Sequence, residues 1–269
     1  MFTGLSTFPL TPMNEQGINE QEFTQLVARL AQAQVDSIGV LGSTGSYAYL
    51  SLEERARVAR LSVESAAGVP VVVGIGALRT RDVLANAEYA QQAGASGLLL
   101  APVSYQKLTD DDVFNLFSTV SRAISVPLCV YDNPGTTHFT FSDELHGRIA
   151  ELPQVRSIKI PPVPNNLVDA KARVARLRAL IPSDVTIGIS GDPAAATGLL
   201  AGCEAWYSVI GGLYPELALA LTRAAQAGDA EQAQARSGAL APLWALYHDY
   251  GGSLRVAATI AELTGRVSA

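Results

Sequence analysis

Residues that usually announce chemistry are scarce in this chain. It has two cysteines, and Cys129 and Cys203 each lie in or beside an apolar run with no Cys or His at ligand spacing. Two such residues cannot build a disulfide scaffold, so buried free thiols are expected. The three histidines, His138, His146 and His248, pair with no other His or Cys at metal spacing, which argues against a zinc centre. Charge is also thin: 16% of the 269 residues are charged and the net charge is −6. Lys and Arg form no stripe, so nucleic acid is excluded as a partner. An anionic substrate would need a local basic group rather than a global field. No apolar run reaches the ~20 residues that span a bilayer. Met1-Phe2-Thr3-Gly4 lacks the basic start of a secretory signal. No membrane partner and a cytoplasmic location are expected. Also missing are a Gly-x-Ser-x-Gly elbow, a Walker A loop and a dinucleotide fingerprint.

What is present is core-forming material, 48% of the chain. Eight short runs recur: Phe2–Phe8, Ser37–Leu41, Val69–Gly74, Gly97–Ala101, Leu128–Tyr131, Arg156–Ile160, Thr186–Ser190 and Ala205–Val209. Most are apolar throughout, as parallel strands buried on both faces are. Amphipathic stretches separate them: 20–34, 52–67, 80–93, 110–124, 142–152, 166–181 and 193–201. Ser51 before Glu54 and Thr109 before Asp112 are helix-start signals. Eight strands alternating with helices predict an α/β fold, a (β/α)8 TIM barrel, which runs to ~250 residues. An open doubly wound sheet is the alternative. Three more helices are predicted beyond the eighth strand, over 215–227, 229–246 and 253–263. The expected division is a barrel over residues 1–225 and a C-terminal helical extension over 226–269.

Barrel enzymes place their reactive groups at the C-terminal ends of strands. That rule selects Gly42-Ser43-Thr44-Gly45 after the second strand, Tyr131-Asp132-Asn133-Pro134-Gly135-Thr136-Thr137 after the fifth, Lys159 in the sixth and Ser190-Gly191-Asp192 after the seventh. Lys159 lies in Val155-Arg156-Ser157-Ile158-Lys159-Ile160, flanked by apolar residues. A lysine there is paired, exposed at the strand end, or functional. Burial would lower its pKa and free the amine to attack a carbonyl. Ser43 and Thr44 bring two hydroxyls and backbone N–H groups to a turn that can hold a carboxylate, as many such turns can. Tyr131 ends a buried strand, and its hydroxyl either relays protons or is a satisfied core group. His146, on a predicted helix, is expected at the surface. His138 lies near the strand-five loop, within reach of the site.

Together these segments resemble the dihydrodipicolinate synthase / N-acetylneuraminate lyase family over nearly the whole chain. The resemblance begins at Phe2-Thr3-Gly4 and Leu10-Thr11-Pro12-Met13. It includes Gly42-Ser43-Thr44-Gly45, Pro70-Val71-Val72-Val73-Gly74-Ile75-Gly76, Tyr131-Asp132-Asn133-Pro134, Ile158-Lys159 and Ser190-Gly191-Asp192. It implies that Lys159 forms a Schiff base with pyruvate or another 2-oxo acid and that Tyr131 shuttles protons. It implies that Ser43, Thr44 and Gly45 hold the substrate carboxylate, with Thr44 linked to Tyr131. Tyr105 matches the tyrosine given across a subunit interface, and the backbone near Tyr207 should border the site together with Thr136. It implies no metal and no organic cofactor, because the protonated imine is the electron sink. It also implies a homotetramer built as a dimer of dimers.

The chain departs from that pattern. Ser46 stands where members commonly have Glu, and Ile160 where an acidic residue often follows the lysine. Gly135-Thr136-Thr137 lacks the Arg that grips the aldehyde's carboxylate in true dihydrodipicolinate synthases, and Thr cannot reproduce a bidentate Arg contact. Leu52 and Arg55 replace the lysine-feedback histidines, so no lysine inhibition is expected. Members run further past Ala269, so the C-terminal helices are expected to be shortened or cut. The expected activity is therefore a class I aldolase or lyase acting on a 2-oxo acid and an aldehyde. A keto-deoxy sugar acid aldolase or dehydratase is the sister reading. A non-catalytic 2-oxo-acid binder is the contrasting one.

Overall fold

The structure is a computed structural model that describes residues 1–268; the last residue of the predicted extension, Ala269, lies outside it. Eight parallel strands close into a barrel: β1 Gly4–Thr7, β2 Ser37–Val40, β3 Val71–Gly74, β4 Gly97–Leu100, β5 Leu128–Tyr131, β6 Val155–Ile160, β7 Thr186–Ser190 and β8 Ala205–Ser208. Each pairs with its sequence neighbours, and β1 closes the ring against both β8 and β2. The predicted barrel is thus the observed one. Its strands are near-continuous apolar runs because they are covered on both faces.

Helices follow the strands: α1 Glu20–Gln32, α2 Leu52–Ser65, α3 Thr80–Gln92, α4 Asp110–Ala123, α5 Asp143–Ala150, α6 Leu167–Arg178, α7 Ala195–Leu200 and α8 Pro215–Gln226. Ser51 and Glu54 form a reciprocal cap on α2, and Thr109 and Asp112 do the same on α4. Each such cap is worth ~1 kcal/mol. Between strands and helices lies the main core, with Ile38, Leu98, Val130, Ile158 and Ile187 among its buried residues. A second cluster fills the barrel itself and includes Phe8, Leu99, Cys129, Tyr131 and Tyr207. Cys129 and Cys203 are both free and buried.

Beyond α8 the chain forms α9 Ala230–Ala239, α10 Ala241–Asp249 and α11 Ser253–Leu263. One helix was expected over 229–246. It breaks at Leu240, and Pro242 sits in the first turn of α10, where a missing N–H costs nothing. Two small features were not foreseen: an antiparallel pairing of Met13–Asn14 with Gly17–Ile18, and a one-turn helix over Pro134–Thr137. Among the described residues no helix is long and apolar enough to cross a membrane.

Candidate active site

Side chains alternate along β6. Ile158 and Ile160 join the core under the helices, which turns Ser157 and Lys159 into the barrel. In register, Lys159 stands between Tyr131 of β5 and Gly188 of β7. Tyr131 therefore supplies a ring on one side. On the other side Gly188 leaves a gap into which the Tyr207 ring fits: a Cβ at Gly188 would lie 2.2 Å from Tyr207 Cε2. Gly39 of β2 makes the same room for Phe8, with a Cβ there falling 2.3 Å from Phe8 Cζ. The result is a ring of aromatics around Lys159 Nζ, at 4.0 Å from the Tyr131 centroid, 4.1 Å from Phe8 and 5.4 Å from Tyr207.

That setting governs the amine. Lys159 is 5% exposed. Burial lowers its pKa to about 8, while Cys129 and Asp192 oppose the shift. At neutral pH a useful fraction is therefore the free, nucleophilic amine. Beneath it, the Tyr207 hydroxyl meets Ser157 Oγ at 2.7 Å and Cys129 Sγ at 3.4 Å. Thr186 donates to Ser157 at 2.9 Å. These contacts fix the Tyr207 ring from below.

The Tyr131 hydroxyl lies 3.3 Å from Ser43 Oγ, and Asn133 Nδ2 donates to both oxygens, at 3.0 and 3.3 Å. Ser43, not Thr44, is thus the hydroxyl that meets Tyr131. Burial pushes the Tyr131 pKa up, and the Ser43 contact opposes it. Ser43 is presented by a tight turn. Gly45 lets the turn close tightly, since a Cβ there would lie only 3.0 Å from the Leu41 nitrogen, and its N–H donates to the Gly42 carbonyl. The Ser46 N–H returns to Ser43 O. Among the described residues the Ser43 and Thr44 amides meet no backbone acceptor, so they remain available to an anion.

Above these groups opens a cavity of about 880 Å³. Ser43, Thr44, Tyr131, Thr136, Lys159 and Tyr207 all line it, so six of the expected site residues converge. Gly45 shapes the turn behind the wall. Tyr105 is not brought to the cavity of its own chain: it stands 92% exposed in the loop after β4. His138 is exposed, ending the one-turn helix with a φ of 56°. The expectation for His146 fails. It is fully buried, stacked on Phe141 with centroids 4.9 Å apart, because Leu145, His146, Ile149 and Ala150 form the inner face of α5.

A sequence profile described as the dihydrodipicolinate synthetase family matches residues 1–267. The chain belongs to this family. A 4-hydroxy-tetrahydrodipicolinate synthase from Hyphomonas neptunium is 33% identical over 87% of this chain and 79% of its own length. A crystal structure of dihydrodipicolinate synthase from Agrobacterium tumefaciens is 46% identical, covers all of this chain and 90% of that one, and superposes with a TM-score of 0.96. A putative dihydrodipicolinate synthetase from Pseudomonas aeruginosa is 29% identical over the whole chain and 91% of its own, with a TM-score of 0.90. The protein is accordingly a lyase of the class I aldolase type.

Several roles in this site were not foreseen, although Asn133 and Asp192 lie in segments that the strand-end rule selects. Phe8 and Asn133 complete the surroundings of Lys159 and Tyr131. Asp192 is a buried latch: its two oxygens accept from Trp206 Nε1 at 3.1 Å, Val209 N at 3.1 Å and Ile210 N at 2.7 Å. The cavity roof comes from the C-terminal helices, through Trp244, Tyr247, His248 and Ser253. The turn between α10 and α11 passes through Gly251 and Gly252, with φ of 68° and 138°. Among the described residues no arginine, and no lysine besides Lys159, lines the cavity.

Proposed function

We propose that this protein forms an imine between Lys159 and a 2-oxo acid such as pyruvate, and uses it to make or break a carbon–carbon bond with an aldehyde. One observation carries the reading: a buried lysine of lowered pKa inside three aromatic rings, one of them Tyr131, whose hydroxyl is held by Ser43 and Asn133. The Lys159 amine attacks the 2-oxo carbon, and the carbonyl electron pair passes to oxygen. Loss of water gives the protonated imine. A proton then leaves the adjacent carbon, and the resulting enamine adds to the aldehyde carbon, whose oxygen takes a proton. Hydrolysis frees Lys159. Tyr131, 4.0 Å below Nζ at its ring, is placed to carry these protons with Ser43 and Asn133. The free amides of Ser43 and Thr44 and their hydroxyls receive the carboxylate. Tyr105, exposed on its own chain, serves a neighbouring subunit in a homotetramer arranged as a dimer of dimers. The chemistry needs no metal or organic cofactor. A cytoplasmic setting suits a 2-oxo acid metabolite.

The cavity also bears on the second substrate. Its wall offers hydroxyls from Ser46, Thr136, Ser190 and Ser253 but no arginine. A second carboxylate would be buried without a counter-charge. This favours an uncharged hydroxylated aldehyde, and with it the keto-deoxy sugar acid aldolase or dehydratase reading, over an anionic aldehyde.

Borohydride reduction in the presence of pyruvate, read by mass spectrometry, tests the imine. A single adduct that disappears in Lys159→Ala is expected. Failure of pyruvate and other 2-oxo acids to give any adduct would leave the non-catalytic binder as the better reading.

A further inference from the structure

Three consecutive residues leave the end of β5 in alternate directions. Tyr131 and Asn133 face the cavity, and their side chains are hydrogen-bonded to one another. Asp132 between them must point the opposite way, into the layer under the helices. It is 4% exposed there. Its Oδ2 lies 3.4 Å from Nε2 of His146 on α5, which is itself fully buried. The imidazole stacks flat on Phe141, with an interplanar angle of 2°. Phe141 in turn meets Phe117 and Phe139 edge-on, at 6.2 and 5.0 Å. The surroundings are therefore aromatic. Asp132 Oδ1 and both ring nitrogens of His146 meet no hydrogen-bond partner among the described residues, so the 3.4 Å approach is a close contact of two buried polar groups rather than a hydrogen bond. Among the described residues, the ion-pair-range neighbour of the carboxyl group is His146.

The backbone of the same residue is tied to the chemistry. The Asp132 N–H donates to the Lys159 carbonyl at 3.0 Å. Asp132 thus stands where the strand bearing the amine, the strand bearing Tyr131 and the helix α5 all meet. A buried carboxyl group deprived of its partner turns towards whatever donor it can find. Turning Asp132 would rotate the peptide that follows and carry the Asn133 amide away from the Tyr131 and Ser43 oxygens.

We propose that the buried Asp132–His146 pair is a positioning device for the proton relay, holding Asn133 against the Tyr131 and Ser43 hydroxyls from the far side of β5. Neither residue touches substrate. The inference rests on the proposed function, because the relay is the one that would deprotonate the imine.

The test needs no knowledge of the aldehyde. Exchange of pyruvate methyl protons in deuterated water, followed by NMR, reads deprotonation of the imine directly. His146→Phe keeps the stack on Phe141 and removes the partner of Asp132. It is expected to lower the exchange kcat by ~10-fold or more while the KM for pyruvate changes less than ~2-fold and the borohydride adduct still forms. Asp132→Asn is uncharged and of the same shape, and adding it to His146→Phe should return kcat to within ~3-fold of Asp132→Asn alone. Wild-type exchange in His146→Phe, a loss confined to KM, or no recovery in the double variant would each overturn the proposal. If His146→Phe does not fold, the double variant decides. A folded double variant exchanging at the Asp132→Asn level supports the pair, and an unfolded or inactive one overturns it. Absence of adduct and exchange in the wild type would remove the proposed function, and this inference with it. Normal wild-type exchange with unaffected variants removes this inference alone.

Discussion

The floor and the roof of the cavity are built by opposite means. The floor is made of strand ends in fixed register: Lys159 opposite Tyr131 and Gly188, with Phe8 and Tyr207 filling spaces that glycines leave. Its tyrosine hydroxyls find partners within the barrel, Tyr131 with Ser43 and Asn133, Tyr207 with Ser157 and Cys129. The roof comes from α10 and α11, joined through Gly251 and Gly252, and part of it, His248, is exposed. Trp244 is anchored by its indole N–H to Ser237 O at 3.0 Å, yet Tyr247, 5.5 Å away, keeps a buried hydroxyl without a hydrogen-bond partner. A group that must move protons to one atom needs the first construction. A surface that must accept a second substrate can use the second.

The contrast can be broken most severely at the floor. Tyr131→Phe removes only the hydroxyl and leaves the ring beside Nζ. It should lower the kcat for pyruvate proton exchange by ~10²–10⁴-fold with a much smaller change in KM. A comparable loss in KM would move Tyr131 from proton transfer to binding.

A second measurement concerns the cost of the floor. An ammonium that titrates at about 8 when folded and near 10.5 when unfolded is disfavoured in the folded state. Between these two values the unfolded chain holds the extra proton, so stability rises with pH across that window. Below about 8 the full penalty, on the order of 3 kcal/mol, is present. Lys159→Met, apolar and of similar length, should therefore be more stable than wild type at pH 7, and the gain should shrink above pH 8. Denaturant unfolding at pH 7 and pH 10 measures both. An unchanged or reduced stability at pH 7 would show that the aromatic rings compensate the buried charge in full. The same titration makes imine formation faster as pH rises through about 8, levelling off about one unit above it.

The smallest effect is expected at the roof. Tyr247→Phe should leave borohydride trapping and pyruvate exchange within ~2-fold of wild type, since no hydrogen bond joins its hydroxyl to the floor, and should shift aldehyde preference by a few-fold. Aldehyde-panel kcat/KM values read this. A collapse of pyruvate exchange would mean that floor and roof are one unit.

Strand-level patterning made the floor legible. Ile158-Lys159-Ile160 displays a charge inside a buried run, and the rule that barrel chemistry sits at strand ends did the rest. That the Phe8 and Tyr207 rings close around Lys159 was not legible, because it depends on pairing across β1, β6, β7 and β8, and no residue carries its register in its own identity. The roof was missed for a related reason: helices 226 residues and more along the chain fold back over the mouth, with no local mark of doing so. His146 was a misreading rather than a blind spot. Ile149 and Ala150 follow it by three and four residues, which places it on the inner face of α5.

The vacancies at Gly39 and Gly188 have a consequence for anyone redesigning this protein. Each is one half of a lock whose other half is a ring on a different strand. Randomising Phe8 alone samples only shapes that fit one empty niche, and placing a methyl at Gly39 without shrinking Phe8 forces two atoms to 2.3 Å. Useful libraries must vary these partners as linked letters, 8 with 39 and 207 with 188, so that sequence change around the reactive amine arrives in pairs or not at all.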